Sequence, residues 1–337
     1  VKLTRSLKRI ANWWLLLIVC CFGLTTNGFQ VQADDFPPDE LLRYETGLNR
    51  PPMSVSADQY HRGLDLELGC LANRPLCQRL RMRCDAWFDE AQLLPGEILY
   101  PAYLASPFQA RLGSQIHGVV GDGGKWDSTL GGRVGWFRTT SLDGETTRQF
   151  DFEGSCVVRT DPQERLDVDF TDFRISLPYT IAQGSHRFKI GVEHLCSHLG
   201  DEYLLKHGLT TRDNYSRDAL VLGYGNYLDL QTRIYGEMSY GWRTNVSRPW
   251  HFQFGMDRAP AYHTGRQGAP FWAVNGLLRQ ETRFGGTLNF QTGWAWRNAE
   301  IGRLLRTGIF LQTGKATNLS YHNTSETQLG MGLWYDF

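Results

Sequence analysis

From about Phe108 onward, apolar and polar residues alternate along most of the chain. The clearest run is Asp229 to Arg243. Leu230, Thr232, Ile234, Gly236, Met238, Tyr240 and Trp242 fall on one side, and Asp229, Gln231, Arg233, Tyr235, Glu237, Ser239, Gly241 and Arg243 on the other. Successive side chains of a strand point to opposite faces, so this spacing predicts a strand with one apolar and one charged face. The same split sets Trp250, Phe252, Phe254 and Met256 against His251, Gln253, Gly255 and Asp257. It also sets Phe188, Ile190 and Val192 against Arg187, Lys189, Gly191 and Glu193, and Leu288, Phe290, Trp294 and Trp296 against Thr287, Asn289, Gln291, Gly293 and Arg297. Leu166, Val168 and Phe170 form an apolar side opposite Asp167 and Asp169. Phe173, Ile175 and Leu177 continue out of phase, which predicts a bulge near Thr171-Asp172.

About twelve such segments are expected, near 109–120, 128–138, 147–158, 164–178, 186–198, 218–227, 229–243, 248–257, 271–282, 284–297, 304–314 and 326–337. An even number of antiparallel strands suits a closed barrel with apolar residues outside and polar residues inside. The fold class expected is therefore all-β, an antiparallel transmembrane β-barrel over 106–337. In the last segment Leu329, Met331, Leu333, Tyr335 and Phe337 share a face, and Gly330, Gly332, Trp334 and Asp336 share the other. This segment is similar to the C-terminal assembly signal of outer-membrane barrels. It implies recognition by the barrel-assembly machinery through Leu333, Tyr335 and Phe337. If that strand ends in the periplasm, alternation puts Leu199–Arg217 outside the cell, and Arg258–Pro270 becomes a long connection on the periplasmic side.

Residues 34–105 read differently. Pro37, Pro38, Pro51, Pro52, Pro75 and Pro95 interrupt any long strand pattern. Gln78 to Leu94 is expected to contain a short helix, with Leu80, Cys84, Trp87 and Phe88 on one side. The region as a whole is expected to be a mostly irregular lead-in, periplasmic or tucked into the lumen. Before it, Lys2, Arg5, Lys8 and Arg9 precede an apolar stretch from Ile10 to Leu24, and Val31-Gln32-Ala33 precedes Asp34-Asp35. That order predicts a secretory leader, residues 1–33, cleaved after Ala33. Export to the outer membrane of a Gram-negative-type envelope is the localisation expected, with membrane lipids as partners.

Charge then narrows the partners. The sequence has 35 basic and 35 acidic residues, and loss of the four basic leader residues leaves 31 against 35. A mildly acidic chain is not expected to bind nucleic acid. Of seven cysteines, Cys70, Cys77, Cys84, Cys156 and Cys196 follow the leader. One disulfide among the first three is compatible with an oxidising compartment, and no CxxC pair points to zinc. No cofactor or metal is expected, and no P-loop, HExxH or GxSxG motif is present.

Two sets of residues can carry chemistry. The polar faces put Arg133, Asp151, Glu153, Asp167, Asp169, Lys189, Glu193, Arg233, Glu237, Arg279, Glu281, Arg283 and Arg306 in the lumen, where mixed signs line a narrow solute path or pair off and fill it. The stretch Glu193-His194-Leu195-Cys196-Ser197-His198-Leu199-Gly200-Asp201-Glu202 lies where a strand enters the longest loop. Its alternative reading is a lipid acyl-ester hydrolase, with Ser197 as nucleophile, His194 or His198 as base and Asp201 as orienting group. His194 and Ser197 are three residues apart, so an ideal strand puts them on opposite faces and a bulge is needed to join them. His194, Cys196 and His198 share a face at i, i+2 and i+4, a spacing that also suits metal ligation.

Two stretches resemble a bacterial family known as domain of unknown function 1207. One is Leu93-Leu94-Pro95-Gly96-Glu97-Ile98-Leu99-Tyr100-Pro101 with Ala105-Ser106-Pro107. The other is His194 through Tyr203 with Arg212, Asn214, Ser216 and Arg217. The family run is Ser-Ser-His-Leu-Gly-Asp where this chain has Cys196-Ser197-His198-Leu199-Gly200-Asp201, a departure that argues against a metal or catalytic role for position 196. The resemblance covers roughly 93–337 and implies a bacterial envelope protein. It carries over no catalytic residues.

Overall fold

The computed structural model describes residues 90–209, 215–299 and 302–337. The leader, Cys70, Cys77, Cys84 and most of the expected helix at 78–94 lie outside the described residues. Five residues of that helix expectation, 90–94, are described, and the first four form a strand instead, β1 (Glu90–Leu93). The strands that follow are β2 (Arg111–Val119), β3 (Gly123–Thr140), β4 (Thr146–Asp161), β5 (Asp167–Gln183), β6 (His186–Leu199) and β7 (Tyr215–Tyr227). After them come β8 (Thr232–Asn245), β9 (Trp250–Arg258), β10 (Ala269–Arg279), β11 (Gly286–Arg297), β12 (Leu304–Lys315) and β13 (Ser325–Asp336). Each strand from β2 to β13 pairs antiparallel with the next, and β13 pairs with β2, so twelve strands close on themselves. Closure removes the open edges that would leave backbone groups unpaired in hydrocarbon. β2 reaches only the first half of β3, and β1 pairs with the second half at Phe137–Thr140.

We call the end where β13 finishes the lower end. At the upper end, helix α1 (Asp201–Lys206) follows β6. Outward positions carry the large apolar side chains, among them Ile190, Leu222, Ile309, Met331 and Leu333, all exposed on the barrel wall. Trp126, Phe173, Tyr240 and Trp250 stand toward the upper strand ends, and Trp136, Tyr179, Tyr224 and Trp294 toward the lower ends. Paired aromatic girdles around an apolar band are the outer surface that a bilayer selects.

Three register shifts re-aim side chains. On β5 the extra residue is Asp169, because Arg159 pairs with Phe170 and Thr160 with Val168. The bulge thus lies two residues before the expected Thr171-Asp172. It turns Phe170 inward, where its ring lies 5.0 Å under the Arg159 guanidinium. Similar shifts fall at Trp136 on β3 and at Trp242 on β8.

The long connection between β9 and β10 folds back onto the lower wall. The Trp294 and Trp296 indoles donate to the carbonyls of Gln267 (2.7 Å) and Arg266 (3.1 Å), and the Arg297 guanidinium donates to that of Pro260 (2.5 Å).

Candidate functional site

The chain between β1 and β2 runs inside the barrel. It enters past Gly135, where a Cβ would come within 2.7 Å of Pro95. Its centre is Tyr100-Pro101-Ala102-Tyr103-Leu104, all but Pro101 buried. The five consecutive carbonyls of this segment accept hydrogen bonds from arginines of the wall. Arg133 donates to Tyr100 (2.6 Å), Arg233 to Pro101 (2.7 Å) and Ala102 (2.8 Å), and Arg111 to Tyr103 (2.7 Å) and Leu104 (2.7 Å). Arg306 makes a longer second contact to the Leu104 carbonyl (3.3 Å). An extended segment that lacks a strand partner must satisfy its carbonyls somewhere, and guanidinium forks supply the donors.

Each of these arginines is paired with a wall carboxylate, two of them sharing one. Arg133 pairs with Asp151 (2.6 Å), Arg233 with Asp257 (2.6 Å), and Arg306 (2.7 Å) and Arg111 (3.2 Å) both with Asp336. Side chains of the inner segment join the network. The Tyr103 ring stacks on Tyr235 at 3.9 Å between centroids, and its hydroxyl donates to Glu237 (2.9 Å). Lys189 ion-pairs with Glu237, and Arg174 bridges Glu153 (2.6 Å) and Glu193 (2.6 Å).

The upper end is closed by the β12–β13 connection, whose Ala316, Leu319 and Asn318 are buried. Asp172 on β5 accepts from the Leu319 backbone (3.2 Å) and the Asn318 amide (3.3 Å), and Arg279 donates to the Ala316 carbonyl (2.5 Å). Between the two plugs lie two small cavities among the described residues. One of about 40 Å³ is bounded by Phe108, Asp172, Gln312 and Trp334, and one of about 30 Å³ by Gln109, Glu193, His251 and Leu277. Each holds on the order of two or three waters.

Eleven of the thirteen charged residues expected to line the lumen are buried or half-buried within it: Arg133, Asp151, Glu153, Asp169, Lys189, Glu193, Arg233, Glu237, Arg279, Glu281 and Arg306. The other two are corrections. Asp167 is exposed at the start of β5, and Arg283 is exposed in the β10–β11 turn at φ 56°. Sequence reasoning missed the partners that matter most, namely Arg111, Asp336 and the carbonyls of 100–104.

Glu281 is a hub at the upper rim. Its carboxylate accepts from Tyr215 (3.0 Å), from His251 Nε2 (3.0 Å) and from the Arg248 backbone (3.4 Å). Burial alone would raise this carboxyl, but the His251 hydrogen bond and charge, with Arg279 behind, outweigh it and hold it down at about 2. A depressed carboxylate stabilises the fold above its unfolded value near 4.5 and loses that contribution as pH falls toward 2. The span corresponds to roughly 3 kcal/mol. Glu281→Gln should therefore weaken the barrel at pH 7 and flatten its unfolding curve between about pH 4.5 and 2. Urea titrations at stepped pH measure this, and parallel curves for parent and variant would count against the hub.

The second stretch comes apart in the structure. Ser197 is fully buried and faces the lumen, with its hydroxyl 2.5 Å from that of Ser320. His194 and His198 face outward. The His198 ring lies 6.2 Å from Phe173, and Asp201 opens α1 in the loop. No bulge interrupts β6 here, so Ser197 stands on the face opposite both histidines and the expected Ser–His pair does not form. His194 instead meets Asp218 of β7, with Nδ1 2.6 Å from Oδ1. Among the described residues, no group of three or more metal-ligating side chains converges.

The fold and its interior define the class: a closed antiparallel twelve-strand β-barrel with an apolar wall and an ionic, occupied lumen. The chain belongs to the family described as "Protein of unknown function (DUF1207)", whose model matches residues 74–337. Among curated protein sequences no match is found. Among solved structures it is similar to the outer membrane phospholipase (OMPLA) dimer of Salmonella typhi with bound calcium. That match is 11% identical, covers 68% of this chain and 93% of that one, and has a TM-score of 0.44. Outer membrane phospholipase A of Escherichia coli gives 11%, 70%, 93% and 0.44. KdgM porin gives 9%, 67%, 99% and 0.39. At such identities the likeness is one of barrel fold alone.

Proposed function

We propose that this protein is an outer-membrane β-barrel whose lumen is closed by its own chain, a plugged barrel and not an open diffusion pore. The observation that carries the reading is the comb of five carbonyls, Tyr100 to Leu104, gripped by wall arginines that are themselves charge-paired. In a pore, mixed charges face water. Among the described residues they face each other and a polypeptide, an arrangement that supports a lumen closed to solutes. The wall supports the membrane placement, since Leu329, Met331 and Leu333 are each more than half exposed on one strand. A soluble protein would leave such a row unburied at a cost of roughly 25 cal/mol per Å². On this reading its partners are outer-membrane lipids, with the barrel-assembly machinery engaging Leu333, Tyr335 and Phe337 during insertion.

The test is electrical. The purified barrel in a planar bilayer should stay silent up to potentials at which an open porin conducts in steps. Stable, stepwise conductance from the unmodified protein would overturn the plugged reading.

A further inference from the structure

Charge is divided unevenly around the upper end of the barrel. The exposed carboxylates there, Asp122, Glu164, Asp167, Asp201 and Glu202, stand over β2 to β6. On β7 Asp218 is engaged by His194, and Arg243 opposite it in the ladder marks the boundary. Beyond that boundary, from β9 to β12, the charges that reach the surface are Arg248, Arg283 and Lys315. Among the described residues no carboxylate pairs with any of the three. Glu281 is buried and turned inward to Tyr215 and His251, and Glu326 is held by Arg159.

All three cations border the β10–β11 turn. The Arg248 backbone N–H donates to Glu281 (3.4 Å) and leaves the side chain exposed. Arg283 lies in the turn itself. The Lys315 side chain covers Gly285, where a Cβ would meet Lys315 Cγ at 3.2 Å. Lys315 Nζ gives one N–H to the Asn323 carbonyl (2.9 Å) and keeps two more. Below the cations runs a row of rings on the outer wall. Trp250 stacks on Phe252 at 6.0 Å, and Phe252 meets Phe284 at 6.1 Å. Trp250 and Phe284 are 37% and 45% exposed. Cations gathered just above an aromatic girdle sit at the depth of lipid head groups. Their mutual repulsion is relieved by no acidic side chain, so an anion from outside the chain is what the sector lacks.

We propose that Arg248, Arg283 and Lys315 dock the phosphates of one acylated, doubly phosphorylated glucosamine disaccharide of the outer leaflet. The site rests on the membrane placement above, with the upper end facing out of the cell. The two guanidiniums grip phosphate oxygens in pairs, and the ammonium acts as a point charge. The acyl chains lie along Trp250, Phe252 and Phe284. From β9 to β12 the sector is three strand spacings wide, roughly 14 Å. One phosphodiester covers part of that width, whereas two phosphates held apart by a disaccharide cover it all.

The full chain in neutral detergent is titrated with three lipids and weighed by native mass spectrometry. The lipids are the doubly phosphorylated acyl disaccharide, its dephosphorylated counterpart and phosphatidylglycerol. One doubly phosphorylated lipid retained per chain is expected, with the other two held at least about tenfold more weakly. Changing Arg248, Arg283 and Lys315 together to Gln should lower the affinity about a hundredfold, at about fivefold per cation, and leave the urea midpoint near that of the parent. Arg283→Gln alone should cost about fivefold and serves where the triple variant does not fold. Arg165→Gln with Lys206→Gln, on the other side of the rim, should bind as the parent does. Equal retention of the dephosphorylated lipid or of phosphatidylglycerol overturns the site, as does parent-like binding by the folded triple variant. Two chains per particle without lipid would give the sector to a second copy and overturn it as well. Flotation with phosphatidylcholine vesicles separates the two readings. A protein that floats yet ignores phosphate loses the site alone, and one that fails to float loses the membrane placement and the site with it.

Discussion

Arg233→Ala is expected to unlatch the inner segment and to destabilise the barrel in the same stroke. Arg233 donates to the carbonyls of Pro101 (2.7 Å) and Ala102 (2.8 Å) and holds Asp257 at 2.6 and 3.1 Å. Its guanidinium also lies 5.3 Å from the rings of Tyr103 and Tyr235. Truncation strands the Asp257 carboxylate in the interior with a single long contact, from the Leu104 backbone at 3.4 Å. Leaving one member of a buried pair uncompensated costs about 3–5 kcal/mol. The two effects can be separated. Arg233→Met with Asp257→Leu leaves no unpaired charge and should recover most of the stability, because apolar replacement of a whole pair is often neutral. It should not restore the clamp on Pro101 and Ala102. The single variant should therefore be unstable and intermittently conducting, and the double variant stable and conducting. Urea unfolding followed by tryptophan fluorescence gives the first quantity and planar-bilayer recording the second. Silence in both variants would mean that the carbonyl comb does not hold the plug.

The barrel was legible because hydrocarbon and an ionic lumen impose opposite demands on successive side chains. The β8 pattern expected over 229–243 is Thr232–Asn245 in the structure, and each of the other eleven barrel strands overlaps its expected span. Errors arose where an aromatic side chain faces inward. Phe170 counts as wall by hydropathy, yet it sits under Arg159, and that displaced the expected bulge. β1 was unreadable for another reason. Four residues are too few to show a period, and β1 is defined by the uncovered half of β3.

The functional residues were legible only in part. The lumen charges follow from alternation, but the comb they grip consists of backbone carbonyls, which leave no mark in side-chain chemistry. The His194–Asp218 contact joins residues 24 apart across a loop, where no spacing rule operates. Position 196 drew only the metal-ligand reading of the i, i+2, i+4 spacing, and among the described residues no group of three ligating side chains converges there.

The same physics makes Asp336→Asn a severe change despite its conservative shape. The amide keeps the shape of the carboxylate, removes its charge and turns one acceptor oxygen into a donor that faces a guanidinium. Asp336 lies between Arg306 (2.7 Å) and Arg111 (3.2 Å), both buried, and these two guanidiniums converge on the Leu104 carbonyl from opposite sides. Without the anion, two neighbouring cations remain in a space sealed by Phe271 and Trp334, whose rings lie 4.9 and 5.0 Å from Arg306. Loss of the shared partner costs about 3–5 kcal/mol, and repulsion between the arginines adds to it. The expected signature is a fall in the urea midpoint without a change in slope, since the surface exposed on unfolding is unchanged. Adding Arg306→Met to Asp336→Asn removes one of the two stranded cations and should raise the midpoint again, although a further side chain has been lost. If the double variant is less stable than Asp336→Asn alone, relief of the stranded arginine is outweighed by the lost Arg306 bonds to Gln291 and Leu104, and charge balance at Asp336 is not the dominant contribution.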